Sequence, residues 1–531
     1  MSLREIEYNK VDGFSKLLID YVSNSDHFND LISDFPSIDN LNKQISRKSK
    51  NYDKTFREIL VKEISTQYND IDLTELQKSN IKKLAENKTF TITTGHQLNL
   101  LTGPMYFIYK IISVVNLCEK MQRKYSKYNF VPIFWMASED HDFEEINHFS
   151  FHGSKFNWSS AQTGVVGEFK LDSIKDVAID FEKCVSDFPY SNEIIKIFRD
   201  CYINSTDLSG ATRKLVNILF RKNGLIIIDA NNKNLKSLFC DIIKKEINEK
   251  VIFNQSKKSI QRLNELNYNI QANPREINLF YAEDGKRERI IEMKNGFQTL
   301  NGLKKWSSEQ IQDEIKSSPE KFSPNVLFRP IFQEYILPNI CYIGGPAEVA
   351  YWLQLKSVFE SLNIAFPIIL NRNSALLLDK RLLDKLNKLD VSIEEILMPK
   401  EILKEKLVKK YSKLKLDFTN LKQNLNDQFL ELKKIASQTD KSFIGALSAQ
   451  EKKQINGLNM LEKRLMKSEE KIHKDKINRV LKIRDKLFPD GKPQERMSNF
   501  SEFYVNEGID MISLIKNNLD PLSHKFSVIE I

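Results

Sequence analysis

An α/β fold built on a Rossmann-like, doubly wound parallel sheet is predicted by three features of the chain. Between residues 86 and 380, short apolar runs rich in β-branched residues alternate with stretches of helical periodicity. Several of the runs are apolar on both faces, as strands covered by helices must be. Each run ends in a turn that carries glycine, acid or arginine, which is the edge where such sheets bind ligands. Beyond about residue 380 the chain turns helical and rich in Lys, Glu and Leu, which predicts a long coiled-coil hairpin.

Residues 1–85 read as a helical region. "FREILVKEISTQYN" has apolar spacing near 3.6, and "LTELQKSNIKKLAEN" follows with Thr74 as its cap. "TFTITTGHQ" (89–97) alternates and stops at glycine, as a strand does; "PMYFIYKIISVVNLCEKMQRKY" (104–125) reads as a helix with Pro104 in its first turn. "FVPIFWMAS" (130–138) completes a βαβ unit. "NGLIIIDANN" (223–232) is a further strand ending at Asp229. "PNICYIGGPAEVAYWLQLKSVFESLN" (338–363) reads as strand, turn and helix, and "AFPIILNRNSALLLD" (365–379) as a strand running into a helix. Stretches 150–220 and 250–325 are too long for simple crossovers and predict two inserted subdomains. In 381–487, apolar residues recur at Leu407, Tyr411, Leu414, Phe418, Leu421, Leu425, Leu432 and Ile435, broken at Gln428. A second helix follows the turn "SQTDKS" (437–442), with Leu458, Leu461 and Leu465. "FPDGKPQERMSNF" opens a C-terminal segment, 488–531, expected to return to the core.

The composition excludes several classes. With 531 residues and 41% hydrophobic content, the chain can bury a large core. The net charge is +9, yet no short block is basic enough for a nucleic-acid arm, so anionic small molecules are the expected partners. The five cysteines are widely spaced without a CxxC pair, which predicts reduced thiols in a cytoplasmic protein. The N-terminus has no apolar signal-like run, and no apolar run approaches a membrane span.

Chemistry-bearing residues gather at the predicted strand ends. In "TTGHQLNLLTGPMYFIYK", Gly95 and Gly103 allow close backbone approach, Asn99 and Thr102 can cap or bind, and His96 can steady an anionic oxygen or be structural. "ASEDHDFEEINH" concentrates Glu139, Asp140, His141 and Asp142. Three readings stand: acid/base work on a bound substrate, capping and solvation, or a metal site of His141, Asp142, Glu145 and His148 should the segment become helical. In "YIGGPAEVAYW", Gly344 and Gly345 form the turn, and Glu348 can hold an amine or complement the helix dipole. Arg329 and Arg372 can grip a carboxylate or phosphate.

Together, "TGHQLNLLTGPMYFIYKI", "VPIFWMASEDHDFEEINH", "FRPIFQEYILPNICYIGGPAEVAYWLQL", "FPIILNRNS" and "LFPDGKPQER" resemble the BshC family of cysteine-adding enzymes in bacillithiol biosynthesis. The resemblance implies a Rossmann-like core with two connecting-peptide insertions, a coiled coil that makes a homodimer, and addition of cysteine to glucosaminyl-malate. The family's core also looks like that of class I aminoacyl-tRNA synthetases, which makes ATP a candidate cofactor; no KMSKS sequence is present, and "DGKPQER" with Lys492 and Arg496 is the nearest counterpart. No Cys/His set stands ready for zinc, and no metal is expected. The implied catalytic residues are His96, Glu139, Asp140 and His141. The implied binding residues are Gly95, Gln97, Asn99, Thr102, Gly103, Trp135, Ser138, Asp142, Arg329, Gly344, Gly345, Glu348, Tyr351, Arg372, Lys492 and Arg496. The rivals are a metal-dependent hydrolase using the acid-histidine run and a scaffold whose coiled coil is the working part.

Overall fold

The computed structural model describes residues 3–438 and 441–531, with the side chain of Lys441 left out. The chain divides into two compact units, one of residues 1–9, 14–377 and 493–529, the other of 10–13, 378–492 and 530–531.

The first unit is built on a five-stranded sheet. Its elements are β1 (Thr89–His96), helix α1 (Tyr106–Lys124), β2 (Asn129–Met136) and β3 (Ile226–Asp229). A second sheet follows, with the hairpin β4 (Leu279–Glu283) and β5 (Lys286–Met293). The chain then returns through α2 (Arg329–Ile336), β6 (Asn339–Gly344), α3 (Pro346–Trp352) and β7 (Ile368–Asn371). The first sheet has the order β7-β6-β1-β2-β3 and is parallel throughout. Its strands are buried on both faces, which explains their continuous apolar runs. Helix α1 supplies Val114, Leu117 and Met121 to a core shared with Phe90, Ile92, Ile343 and Ile368.

Between β2 and β3 lie a small hairpin (His148–Phe151 with Ser154–Asn157) and the helices Lys175–Val185, Ser191–Phe198 and Leu208–Phe220. The second sheet is antiparallel. The β4–β5 turn is Asp284-Gly285, both with positive φ, as a two-residue type I′ hairpin requires. That turn fixes the register from Glu283↔Lys286 to Phe280↔Arg289.

Two local expectations differ from the structure. The run after β7 does not enter a helix directly: Ser374–Leu378 is a second strand, placed beside Phe526–Glu530, which itself pairs antiparallel with Leu3–Ile6. "NRN" breaks the apolar run, and the leucines that follow are buried at every position, a pattern a strand and a helix share.

The second unit holds α4 (Lys400–Tyr411), α5 (Thr419–Ala436), α6 (Lys441–Ile472) and α7 (Lys474–Leu487). Helices α5 and α6 run antiparallel, tied by Lys422 to Glu462 at 2.6 Å and by Lys433 to Glu451, with Phe429, Ala436 and Leu447 buried between them. The expected seam is displaced. Leu421, Leu432 and Ile435 are 51%, 44% and 62% exposed, and Leu461 is exposed on α6. The reason lies within α5 itself: the residues packed on α6 are Phe429, Ala436 and, in part, Leu425, so the contact face is rotated from the stripe of Leu421, Leu432 and Ile435.

Candidate active site

The carboxyl ends of β1, β2, β6 and β7 open into a cleft of about 1120 Å3, roofed by residues of the second sheet. Gly95, His96 and Gln97 come from the end of β1; Trp135, Glu139, Asp140 and His141 from the end of β2; Gly345, Glu348 and Tyr351 from the β6–α3 turn; Arg329 from α2; Arg372 from the end of β7; and Arg496 from the C-terminal segment. These lie far apart in sequence because each βα unit delivers its loop to the same edge.

The acid-histidine run is not one cluster. Glu139, Asp140 and His141 have different partners. Glu139 pairs with buried Lys236, which also donates to Asn231 Oδ1 and the Glu320 carbonyl. Asp140 accepts from Gln97 Nε2 at 2.7 Å and from the backbone N–H of His141 at 2.7 Å. The same Gln97 amide donates to Glu145 at 2.8 Å. Burial of Asp140 opposes its charge, but hydrogen bonds from His141 and Gln97 and the charge of Arg287 outweigh it and hold the carboxyl well below its usual range. The His141 ring contributes little to this. Its Nδ1 stands 3.6 Å from Asp140 and instead accepts from Arg287 at 2.9 Å. A guanidinium can only donate, so that nitrogen carries a lone pair and Nε2 carries the proton. As arranged here, Asp140 is a fixed negative charge rather than a proton acceptor near neutrality, and His141 is a hydrogen-bond donor.

The metal reading of this run required one helical face for His141, Glu145 and His148. The helix is only Phe143–Ile146, and His148 begins a strand. Among the described residues no three His, Cys, Asp or Glu side chains stand close enough to hold an ion.

His96 faces the opposite constraint. Its Nδ1 lies 3.0 Å from the Gln97 carbonyl, which can only accept, so Nδ1 carries the proton and Nε2 a lone pair. Burial first, then the charge of Lys110, pushes its pKa down to about 4. The imidazole is neutral at physiological pH and offers an acceptor at Nε2.

Glu348 is held by the fold. It accepts from Tyr342 Oη at 2.5 Å and from the Gly345 N–H at 2.8 Å, and pairs with Lys110, which also donates to the Gly95 carbonyl at 2.6 Å. Burial opposes its charge, but Lys110 and these bonds keep the carboxyl ionised. Arg372, almost wholly buried, forms a bidentate pair with Glu495 at 2.8 and 3.0 Å. Arg329 donates to Gln333 and Tyr342. The Nε atoms of Arg372 and Arg496 are buried without an acceptor among the described residues.

Other predicted residues stand behind the cleft. Ser138 donates to Asp229 at 2.5 Å, and Asp142 is exposed. Gly344 is buried, and a Cβ there would stand 2.9 Å from Glu348 Cβ. Asn99, Thr102 and Gly103 shape a bend in which Leu101, Thr102 and Gly103 all have positive φ. Asn499 donates to the carbonyls of Leu101 and Gly103, and Tyr202 Oη accepts from the Leu101 N–H. A Cβ on Gly103 would meet Asn99 Cβ at 2.7 Å, so only glycine fits. Lys492 belongs to the helical unit and is exposed.

Sequence reasoning did not single out Lys110, Arg287 or Arg289, all of which line the cleft. Lys110 had a signal, a lone charge inside the apolar helix "YFIYKII". The arginines of "KRERII" fall in the stretch 250–325, expected only to be an inserted subdomain, and the placement of the second sheet brings them to the cleft.

Among the described residues no helix is long and apolar enough to cross a membrane. Two family models together span nearly the whole chain. Residues 1–373 match the N-terminal Rossmann-like domain of BshC of bacillithiol biosynthesis, and residues 375–531 its C-terminal coiled-coil domain. Curated relatives named "Putative cysteine ligase BshC" include one from Flavobacterium psychrophilum, 45% identical over 99% of this chain and 99% of that one. Others come from Flavobacterium johnsoniae, 44% identical over 99% of both chains, and Christiangramia forsetii, 43% identical over 99% of this chain and 98% of that one. A solved structure described as a "putative arginyl t-RNA synthetase" from Campylobacter jejuni covers 88% of this chain and 98% of its own at 9% identity, with a TM-score of 0.22, too low to carry an argument. With both domains matched and full-length relatives above 40% identity, the chain belongs to the BshC family of bacillithiol biosynthesis.

Proposed function

We propose that this protein is a ligase that joins the carboxyl group of cysteine to the amine of glucosaminyl-malate, in the cytoplasm, as the last step of bacillithiol synthesis. The observation that carries the reading is the match to both BshC domains over the full chain. The cleft's chemistry supports it. Gln97 gathers two carboxylates, Asp140 and Glu145, which can hold an ammonium group. Neutral His96 lines the same cleft and can accept a proton as the amine attacks. Arginines line the rest, as carboxylate-bearing substrates require. Amide formation needs an activated carboxyl, for which ATP is the proposed source; the unpartnered Nε atoms of Arg372 and Arg496 fit an anionic group of that kind.

The working form is proposed to be a homodimer through the helical unit. Leu421, Leu432 and Ile435 lie exposed on α5, and leaving such apolar surface in water costs roughly 25 cal/mol per Å2. The decisive experiment incubates the purified protein with cysteine, glucosaminyl-malate and ATP and follows the thiol product by mass spectrometry. Product at enzyme-limited rates supports the reading; none with any nucleotide or acceptor overturns it.

A further inference from the structure

We propose that Arg287 and Arg289 form a carboxylate subsite through which the second sheet selects the amine substrate; this rests on the ligase reading above. The hairpin register places both on one face of β5, two residues apart, with Arg289 opposite Phe280. Arg287 lies over the Phe280 ring at 3.9 Å. It donates through Nε to Ser323 Oγ at 2.9 Å, through Nη2 to the Pro324 carbonyl at 3.0 Å and through Nη1 to His141 Nδ1 at 2.9 Å. All three acceptors are neutral. A guanidinium has five N–H groups, so two are left over, one on each terminal nitrogen.

Unpaired cations point to a ligand here: Arg275, Arg329 and Arg496 also line the cleft without a carboxylate at ion-pair distance among the described residues, but Arg287 and Arg289 stand together on one strand face. Lys110 is neutralised by Glu348 and Arg372 by Glu495. Among the described residues, no carboxylate comes within ion-pair distance of Arg287 or Arg289. The acids that act on Arg287 at longer range, Glu139 and Asp140, are bonded to Lys236, and to Gln97 and the backbone. A cation fixed in a cleft without a counter-ion carries a desolvation cost that an incoming carboxylate offsets. His141, its Nε2–H fixed by the same Arg287, adds a third donor at this corner, its ring 5.4 Å from Phe280. The amine end of a substrate then goes to Asp140 and Glu145, and its carboxylates to the arginines.

The test compares two acceptors, glucosaminyl-malate and methyl glucosaminide, which lacks carboxylates, in the wild type and in Arg289→Gln and Arg287→Gln. The expected result is a fall of about 10- to 100-fold in kcat/KM for glucosaminyl-malate, with the preference over methyl glucosaminide shrinking by the same factor and the KM values for cysteine and ATP unmoved. Arg287→Lys, which keeps the charge, should recover part of the loss. Equal losses for both acceptors would overturn the proposal. So would a rise confined to the KM of cysteine or ATP, which would place the anion on cysteine or on a phosphate. Calorimetry with L-malate on the wild type reads the subsite without any variant: binding that malamide does not reproduce is expected, and no difference between them overturns it. Malate binding without cysteine addition would sink the ligase reading and leave the subsite standing.

Discussion

The side-chain amide of Gln97 donates to Asp140 at 2.7 Å and to Glu145 at 2.8 Å, so one residue at the end of β1 fixes two carboxylates that follow β2. An amide NH2 has two hydrogens, and both are spent here. The two carboxylates are thereby held close together, which suits an ammonium ligand.

Asp140→Asn should lower kcat/KM for the amine substrate by about 10- to 100-fold, the worth of one charge-assisted hydrogen bond. Because the Asp140 carboxyl is already held well below its usual range, the loss should be the same at pH 6 and pH 8. Steady-state kinetics at both values check this. A loss that grows as pH falls would mean that the carboxyl titrates during turnover. Near-wild-type activity would mean that it only caps the turn, since Asn caps as well as Asp.

Lys110→Met should destabilise the protein by about 3–5 kcal/mol, because it strands the Glu348 carboxylate without its cation. Both partners are shielded, at 4% and 20% side-chain exposure. Adding Glu348→Gln to the same chain should return a good part of that loss. Urea unfolding of the two single variants and the double variant gives the coupling; additive losses would show that the pair is not linked.

His96 makes stability depend on pH in a defined direction. Its folded pKa, about 4, lies below the ordinary 6.5, so the unfolded chain takes up a proton first as pH falls. Its contribution is therefore complete above about pH 6.5 and is lost progressively toward pH 4. Replacing His96 with Asn should flatten that part of the profile. Denaturant midpoints at pH 7.5 and pH 5 for both proteins test it, and parallel losses would exclude His96 as the source.

The exposed leucines of α5 give a prediction about assembly. Sedimentation of the wild type should show a dimer, and Leu432→Glu combined with Ile435→Glu should yield a 62.0 kDa monomer with its helical content kept. A wild-type monomer at micromolar concentration would remove the proposal.

The sequence by itself determined the parallel core, because strands covered on both faces must be apolar throughout and their ends must be marked by turns. "TFTITTGHQ", "FVPIFWMAS" and "NICYIGG" were legible as β1, β2 and β6 for that reason, and the polar residues just beyond them were legible as sharing one edge of the sheet. It determined the family as well, through motifs spread along the whole chain. What it could not determine was which polar groups meet. Glu139, Asp140 and His141 are adjacent in sequence yet answer to Lys236, Gln97 and Arg287, which come from other parts of the chain. The protonation states followed from those encounters: His96 is neutral because it is buried near Lys110, and Asp140 is ionised because donors surround it. The helical seam is displaced for a related reason: spacing marks an apolar stripe on α5, but which side of that stripe packs on α6 is decided where the two helices meet, at Phe429 and Ala436. Arg287 and Arg289 show the limit most clearly: an alternating charged strand looks the same in solvent as in an active site, and only the tertiary structure placed it over the cleft.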